Sequence, residues 1–155
     1  MNLRELSILG LLMSLLVVGR AQEMNPSSGV LLLAHGGRDN WNEEVTKLAA
    51  EVDKNLPVEV AFGMATKRNI QDAIDRLVQR GVREIVAVPL FVSSHSSVIT
   101  STQYLLGLRA EAPPELALYA KMSHNHGDHS AHHTTDASFD PATPIKSSVP
   151  VRMAS

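Results

Sequence analysis

The seven histidines are the residues best suited to chemistry in this 155-residue chain, because the chain contains no cysteine. The lack of thiols excludes disulfides, thiolate metal sites, iron–sulfur clusters and a cysteine nucleophile. Five of the histidines fall between His124 and His133, whereas His35 and His95 stand alone. An imidazole that is neutral near pH 7 can accept a proton or bind a borderline divalent metal. The spacing therefore predicts two uses of histidine, an isolated pair and a dense cluster.

Both isolated histidines follow apolar runs that are typical of buried strands. His35 comes directly after residues 29–34 (GVLLLA), and His95 comes shortly after residues 84–92 (EIVAVPLFV). Strands of a parallel sheet that is covered on both faces have such continuous apolar runs. In the flavodoxin-like strand order, ligands bind where the first and third strands lie side by side. We therefore expect His35 and His95 to face one crevice, as a catalytic and metal-binding pair.

The chain between residues 29 and 122 predicts one α/β domain. Two more strands are expected at residues 58–64 (VEVAFGM) and 116–121 (LALYAK), and helix patterns separate the four strands. This order with short connections predicts a flavodoxin-like, three-layer sandwich around a four-stranded parallel sheet. The helices are expected at about residues 39–55, 69–80 and 97–108. The first helix has an apolar face at helical spacing, formed by Trp41, Val45, Leu48 and Val52.

Small and polar residues surround both histidines in the loops that follow the strands. The two glycines after His35 let a ligand approach the backbone closely, and the serines around His95 make the other loop polar. Arg38 and Lys67 are candidate counter-charges for substrate carboxylates, with a solvated surface charge as the alternative for both. The candidate substrate-binding residues are Gly36, Gly37, Arg38, Ser93, Ser94 and Ser96.

Several function classes lack their signatures in this sequence. The formal net charge of -2 provides no basic field for nucleic acid. The chain has no Gly-x-Ser-x-Gly elbow, which argues against an esterase-like hydrolase. The loop after the first strand is neither a Gly-x-Gly-x-x-Gly dinucleotide loop nor a Gly-Lys-Ser/Thr phosphate loop. We therefore expect no organic cofactor and no nucleic-acid partner.

The N-terminal residues 1–21 have the features of a secretory signal. Arg4 precedes the apolar run 6–18 (LSILGLLMSLLVV), and small residues precede a cleavage position at Gln22. The run is too short to span a bilayer comfortably, so we expect export to the periplasm without stable membrane insertion. The alternatives are a buried N-terminal helix or an uncleaved anchor, and a cytoplasmic protein if the signal is not functional. Residues 22–28 are expected to be a linker.

The segment 123–155 is rich in His, Ser, Thr, Ala and Pro and shows no apolar periodicity, which predicts a flexible tail or linker. A segment so dense in imidazoles can bind Ni²⁺, Co²⁺, Cu²⁺ or Zn²⁺, although its spacing does not match a closed structural zinc motif. Such a segment would raise the metal concentration near the crevice by tethering; a solvated linker is the alternative. The candidate metal ligands are His124, His126, His129, His132 and His133.

Three features, in order and at matching spacing, resemble the CbiX-type sirohydrochlorin chelatases, a class II chelatase family of cobaltochelatases and ferrochelatases. They are residues 31–39 (LLLAHGGRD), residues 73–91 (AIDRLVQRGVREIVAVPLF) and the histidine that follows, His95. The resemblance covers about residues 30–121. It implies a chelatase-like fold, and an active unit of two such domains formed by a homodimer or by a second domain.

The resemblance also implies a lyase-class enzyme that inserts Co²⁺ or Fe²⁺ into the tetrapyrrole sirohydrochlorin, in cobalamin or siroheme biosynthesis. Imidazole would serve Ni²⁺ equally. Metal insertion must remove two pyrrole N–H protons and strip water from a divalent ion, and two facing imidazoles can do both. We therefore expect His35 to be the metal ligand and proton acceptor, with His95 as its partner. The alternative is an exported, non-catalytic module of the same fold that binds metal or tetrapyrrole.

The chain departs from the family at two positions. The family usually has an acidic residue near the end of the second strand, as Phe-Leu-Glu, where this chain has Phe62-Gly63-Met64. A thioether cannot act as a base and is a poor ligand for Co²⁺. The later histidine of the family commonly lies two positions further on, where this chain has Ser97. These departures keep the non-catalytic alternative open.

Overall fold

The computed structural model describes residues 27–93, 95–125, 140 and 142–154, without the side chains of residues 123–125. The expected signal segment 1–21 lies outside these residues. No helix within them is long and apolar enough to cross a membrane. The elements follow in the order β1 (Ser28–Ala34), α1 (Asp39–Asp53), β2 (Val58–Phe62), α2 (Lys67–Gln79), β3 (Glu84–Leu90), α3 (Ser97–Leu105), α4 (Leu116–Asn125) and β4 (Val151–Met153).

The four strands form one parallel sheet in the order β2-β1-β3-β4. The central strand β1 pairs with both β2 and β3, so that Ala34 at its end lies opposite Phe62 on one side and Leu90 on the other. The predicted α/β class with a four-stranded parallel sheet is confirmed. The order also places β1 beside β3, which is the switch point of the fold.

Helices cover both faces of the sheet, which gives the three predicted layers. On one face, Val45 and Ala49 of α1 pack with Leu32, Ala34 and Val58 of the sheet. The other three helices pack on the opposite face. Because β1 lies between the two layers, its side chains are buried on both sides, which explains its unbroken apolar sequence. Side chains without solvent exposure on the second face include Leu31, Ile74, Leu77, Ile85 and Leu105.

The prediction of a fourth strand at residues 116–121 is wrong, because this segment begins helix α4. Leu116 is buried, Leu118 is exposed and Tyr119 is half-buried, which is the burial spacing of a helix on a core. Leu, Ala and Lys, which make up most of the segment, are good helix formers. The apolar content of the segment indicated a buried element correctly but not its type.

The fourth strand is instead β4, which lies within the segment that was predicted to be a flexible tail. It pairs in parallel with β3, with Val151 opposite Ile85. The Ala154 N–H continues this pairing and donates to the Ala87 carbonyl at 2.8 Å. The expected domain end at residue 122 is therefore wrong, since residues 151–154 belong to the sheet. A strand of three residues is too short to show a periodicity in the sequence.

Candidate functional site

His35 and His95 lie at the carboxyl edge of the sheet, after neighbouring strands. His35 directly follows β1, and His95 lies five residues beyond the end of β3. The last residues of these strands, Ala34 and Leu90, are register partners. Both histidines are exposed, so a ligand can reach them from solvent. The structure thus places the two histidine loops side by side at the switch point.

A hydrogen bond within the turn that carries His35 determines which nitrogen of the neutral ring holds the proton. Gly36 has a φ of +77°, a left-handed conformation that favours glycine. His35 Nδ1 lies 2.9 Å from the Gly36 carbonyl oxygen. A carbonyl only accepts, so this bond requires the proton on Nδ1 and leaves the Nε2 lone pair available in the neutral ring. That tautomer is the one that can accept a proton or bind a metal through Nε2.

Asn42, which was not among the predicted site residues, is hydrogen-bonded to the second half of this turn. The Gly37 N–H donates to Asn42 Oδ1 at 2.9 Å, and Asn42 Nδ2 donates to the Gly37 carbonyl at 3.2 Å. Both backbone groups of Gly37, a predicted substrate-binding residue, are therefore hydrogen-bonded to Asn42. An Asn in the first turn of a helix was the available signal, because such side chains commonly bond nearby backbone.

The serines of the second loop organise the loop itself. Ser93 Oγ accepts a hydrogen bond from the His95 N–H at 3.3 Å. Ser96 Oγ accepts from the Ile99 N–H at 3.4 Å and caps helix α3. Ser97, at the position of the family's usual histidine, lies 2.6 Å from the Tyr119 hydroxyl. Ser94 is outside the described residues. Ser93 therefore positions the backbone at His95, and Ser96 has a structural role as a cap.

The strand end that lacks the family's acid is adjacent to the first histidine loop. The Gly63 N–H donates to the Ala34 carbonyl at 2.8 Å. Gly63 has a φ of +128°, and a Cβ there would collide with the Thr66 hydroxyl. The turn therefore requires glycine where the family has leucine. Met64, in place of the acid, is half-buried beside this turn.

The two candidate counter-charges have different surroundings. Lys67 is only 9% exposed, and its Nζ donates to the Asp140 carbonyl at 2.6 Å and to Thr143 Oγ1 at 2.5 Å. Burial lowers the pKa of Lys67. This lysine holds the C-terminal segment and is not placed to meet a substrate. Arg38 is exposed, and its side chain does not cap the helix that it precedes. Of the two candidates, Arg38 is therefore the exposed one, and it lies three residues after His35.

A complete metal site is not present in the part of the chain that the structure describes, where no three His, Asp or Glu side chains are grouped to hold an ion. Of the described side chains, only His35 and His95 supply imidazoles at this edge. His124 lies near the end of α4, and its side chain is not described. The remaining cluster ligands, namely His126, His129, His132 and His133, lie outside the described residues.

The structure is that of a three-layer α/β domain with a parallel sheet, and two exposed imidazoles follow neighbouring strands at its switch point. The profile of the CbiX family matches residues 29–138, which is more than half of the chain. The chain belongs to the CbiX family.

The chain is also similar to several proteins named sirohydrochlorin cobaltochelatase. It is 33% identical over 86 residues to that of Methanothermobacter thermautotrophicus, covering 54% of this chain and 60% of that protein. It is 37% identical over 68 residues to that of Sulfolobus acidocaldarius, covering 43% of this chain and 55% of that protein. It is 29% identical over 92 residues to that of Methanococcoides burtonii, covering 57% and 70%. The chain thus spans less than two thirds of the length of the first two relatives.

Proposed function

We propose that this chain is a chelatase-type domain that takes part in inserting Co²⁺ into sirohydrochlorin. The observation that carries the proposal is the placement of His35 and His95 after neighbouring strands at the switch point of a CbiX domain. The names of the similar proteins support both the metal and the macrocycle. Imidazole does not select among Co²⁺, Fe²⁺ and Ni²⁺, so the preference for cobalt rests on those names.

The chemistry of insertion suits the two imidazoles. Insertion exchanges two pyrrole N–H protons for one divalent ion. His35 Nε2 has a free lone pair in the tautomer that the Gly36 carbonyl requires, and it accepts a pyrrole proton or holds the incoming ion. His95 takes the other role from the neighbouring loop, and the second pyrrole proton passes to solvent, which reaches both exposed histidines. Two protein ligands bind an ion less tightly than a full set would. The macrocycle nitrogens can therefore take the ion over and complete its coordination.

In this proposal the active unit contains two domains of the same kind. The second is supplied by another copy of the chain or by a fused domain. The crevice at the carboxyl edge is open to solvent at both histidines. A second domain facing this edge would exclude water, which strengthens electrostatic interactions at the site. Sedimentation of the full chain at micromolar concentration with and without sirohydrochlorin measures the association.

An anaerobic absorption assay with sirohydrochlorin and Co²⁺ tests the central proposal. The wild-type chain is expected to convert the metal-free spectrum to the cobalt form faster than the uncatalysed mixture. His35→Ala is expected to lower this rate by about 100-fold, since a positioned acid–base group typically contributes about 10²–10⁴. His95→Ala should lower it as well, whereas Lys47→Ala on the exposed face of α1 should not. A wild-type chain that binds sirohydrochlorin tightly but inserts no metal would identify a non-catalytic binding module instead.

The His-rich segment has the role of gathering metal for this site in the same proposal. Its five imidazoles in ten residues support this role. Calorimetric titration with Co²⁺ should show tight sites in the wild type and in His35→Ala. Those sites should be lost when all five clustered histidines are replaced by Ala. Equal binding by this last variant would remove the segment from the proposal.

Export is the location proposed from the signal-like residues 1–21. Fractionation of cells that express the full chain, with an N-terminal sequence of the recovered protein, tests it. Recovery of the periplasmic protein beginning at Gln22 is expected. Recovery of the intact chain from the cytoplasm would contradict export.

A further inference from the structure

Trp41 is the single tryptophan of the chain, and about half of its surface is exposed. Trp41, Val45, Leu48 and Val52 form the apolar face of α1 at helical spacing. In the structure Val45 is buried, whereas Trp41 is 47% exposed. A half-exposed indole forgoes much of the stabilisation that its burial would supply. Its position therefore calls for an explanation other than packing within the described domain.

The indole lies against the turn that carries His35. A Cβ built on Gly37 would lie 3.3 Å from Trp41 Cδ1, so the ring packs over the Gly37 backbone. The backbone N–H of Trp41 donates to the Arg38 carbonyl at 2.9 Å, which fixes the start of α1 relative to this turn. The ring thus lies against Gly37, two residues after His35.

The loop of the second histidine also exposes an apolar side chain. Val92, three residues before His95, is fully exposed. The loops that carry His35 and Val92 follow adjacent strands, and Trp41 contacts the first of these loops at Gly37. Arg38 adds an exposed guanidinium to the same edge. The edge therefore combines apolar side chains, a cation and two imidazoles.

We propose that the Trp41 indole is part of the tetrapyrrole-binding surface and packs against one face of the macrocycle. This inference rests on the proposed function. A tetrapyrrole presents a broad π face, and aromatic side chains bind such faces by offset stacking. Its peripheral carboxylates would then lie within the field of Arg38. Trp41 acts as a positioning residue, because an indole takes no part in the exchange of protons for metal.

Titration of metal-free sirohydrochlorin into the full chain, followed by the macrocycle's fluorescence, tests this role. Trp41→Ala is expected to raise the Kd about tenfold, equivalent to about 1.4 kcal/mol, while Trp41→Phe keeps it within about twofold. Leu48→Ala is the matched control, because Leu48 is 49% exposed on the same helix and lies about 10 Å further along it. In the insertion assay, Trp41→Ala should raise KM and change kcat little.

The indole N–H resonance of ¹⁵N-labelled wild-type protein provides a second measurement, which does not depend on the fold of a variant. A single such resonance is expected, and a stacked macrocycle should shift it strongly by its ring current. If the wild type binds sirohydrochlorin but this resonance does not move and Trp41→Ala binds as tightly as Leu48→Ala, the inference is overturned while the proposed function stands. If the wild type binds no sirohydrochlorin, the proposed function fails as well.

Discussion

Lys67 joins two distant parts of the chain, because its Nζ donates to the carbonyl of Asp140 at 2.6 Å across 73 positions. The same ammonium donates to Thr143 Oγ1. One helical turn further on, Gln71 makes two hydrogen bonds with the backbone of Lys146. These bonds bind residues 140–146 to α2 and direct the following residues towards β4. The lysine that the sequence offered as a substrate contact is thus the anchor of the fourth strand.

Lys67→Met should loosen this anchor. The substitution keeps a long apolar side chain but removes the ammonium group and its hydrogen bonds, so we expect a loss of about 1 kcal/mol in the free energy of unfolding. The local effect should be larger than the global one, with faster amide exchange at Ala154, whose N–H bonds to Ala87 in the sheet. Lys47→Met, at an exposed lysine paired with Glu44, is the control and should cost at most about 0.5 kcal/mol. Unchanged exchange at Ala154 in Lys67→Met would show that the anchor lies elsewhere.

Met64→Glu should restore a proton acceptor beside the histidine crevice. The half-buried side chain follows the Gly63 turn that bonds to the end of β1. The added carboxylate provides a second acceptor for the two pyrrole protons, so it should raise the rate of Co²⁺ insertion about tenfold, less than the roughly 10²–10⁴ that a fully positioned acid–base group contributes. The gain should disappear as the pH falls below the carboxylate's pKa, because a protonated acid accepts no proton.

Met122→Glu is the matched control for this substitution, since Met122 is also half-buried but lies on α4. It should leave the rate unchanged. A folded Met64→Glu protein with the wild-type rate at neutral pH would indicate that the histidines suffice without the acid.

Much of the fold follows from local sequence patterns. The three apolar runs identified β1, β2 and β3, because a strand that is buried on both faces can be recognised in the sequence as a continuous apolar run, without alternating polar residues. The order of strands and helices then predicted a parallel sheet with β1 and β3 adjacent. The fourth strand was missed because β4 has three residues, and the segment before it is held by a contact between Lys67 and Asp140, which are 73 positions apart. A contact across so long a separation leaves no mark in a local pattern.

The site was predictable at the level of strands but not of individual contacts. A histidine directly after a strand must lie at the sheet edge, so the placement of His35 required only β1. The occupation of Gly37 by Asn42 depends on the exact turn, and a sequence pattern cannot show it. The same holds for Trp41, because its helical spacing does not show how much of the side chain the core covers.

Asp53→Asn should make stability less sensitive to acid. Asp53 Oδ1 accepts a hydrogen bond from the Val58 backbone N–H at 2.7 Å and another from the Arg80 guanidinium at 2.6 Å. The bond from Val58 is the larger cause and the bond from Arg80 the smaller; both hold the pKa of Asp53 below its ordinary value. Since the folded-state pKa is lower than the unfolded one, this stabilisation is present above about pH 4 and is lost as the pH falls through the folded-state value.

Urea denaturation at pH 7 and pH 3 measures this effect. At pH 7 the variant should be about 0.5 kcal/mol less stable than wild type, because the pair with Arg80 is partly exposed. At pH 3 the difference should shrink. Asp72→Asn, at an exposed position of α2, should differ little from wild type at either pH. A difference for Asp53→Asn that is equal at both pH values would exclude the carboxylate charge as its cause.

Ser101→Ala should stabilise the protein. Ser101 has no solvent exposure, and its Oγ has no hydrogen-bond partner among the described residues. A buried hydroxyl without a partner carries a desolvation cost of about 1–3 kcal/mol, so its removal should raise the free energy of unfolding by about 1 kcal/mol. Ser97→Ala makes the opposite comparison on the same helix, because Ser97 Oγ is hydrogen-bonded to the Tyr119 hydroxyl. That change should lower stability by about 1 kcal/mol. Chemical denaturation of both variants decides the matter, and a Ser101→Ala protein as destabilised as Ser97→Ala would show that the buried hydroxyl has a partner after all.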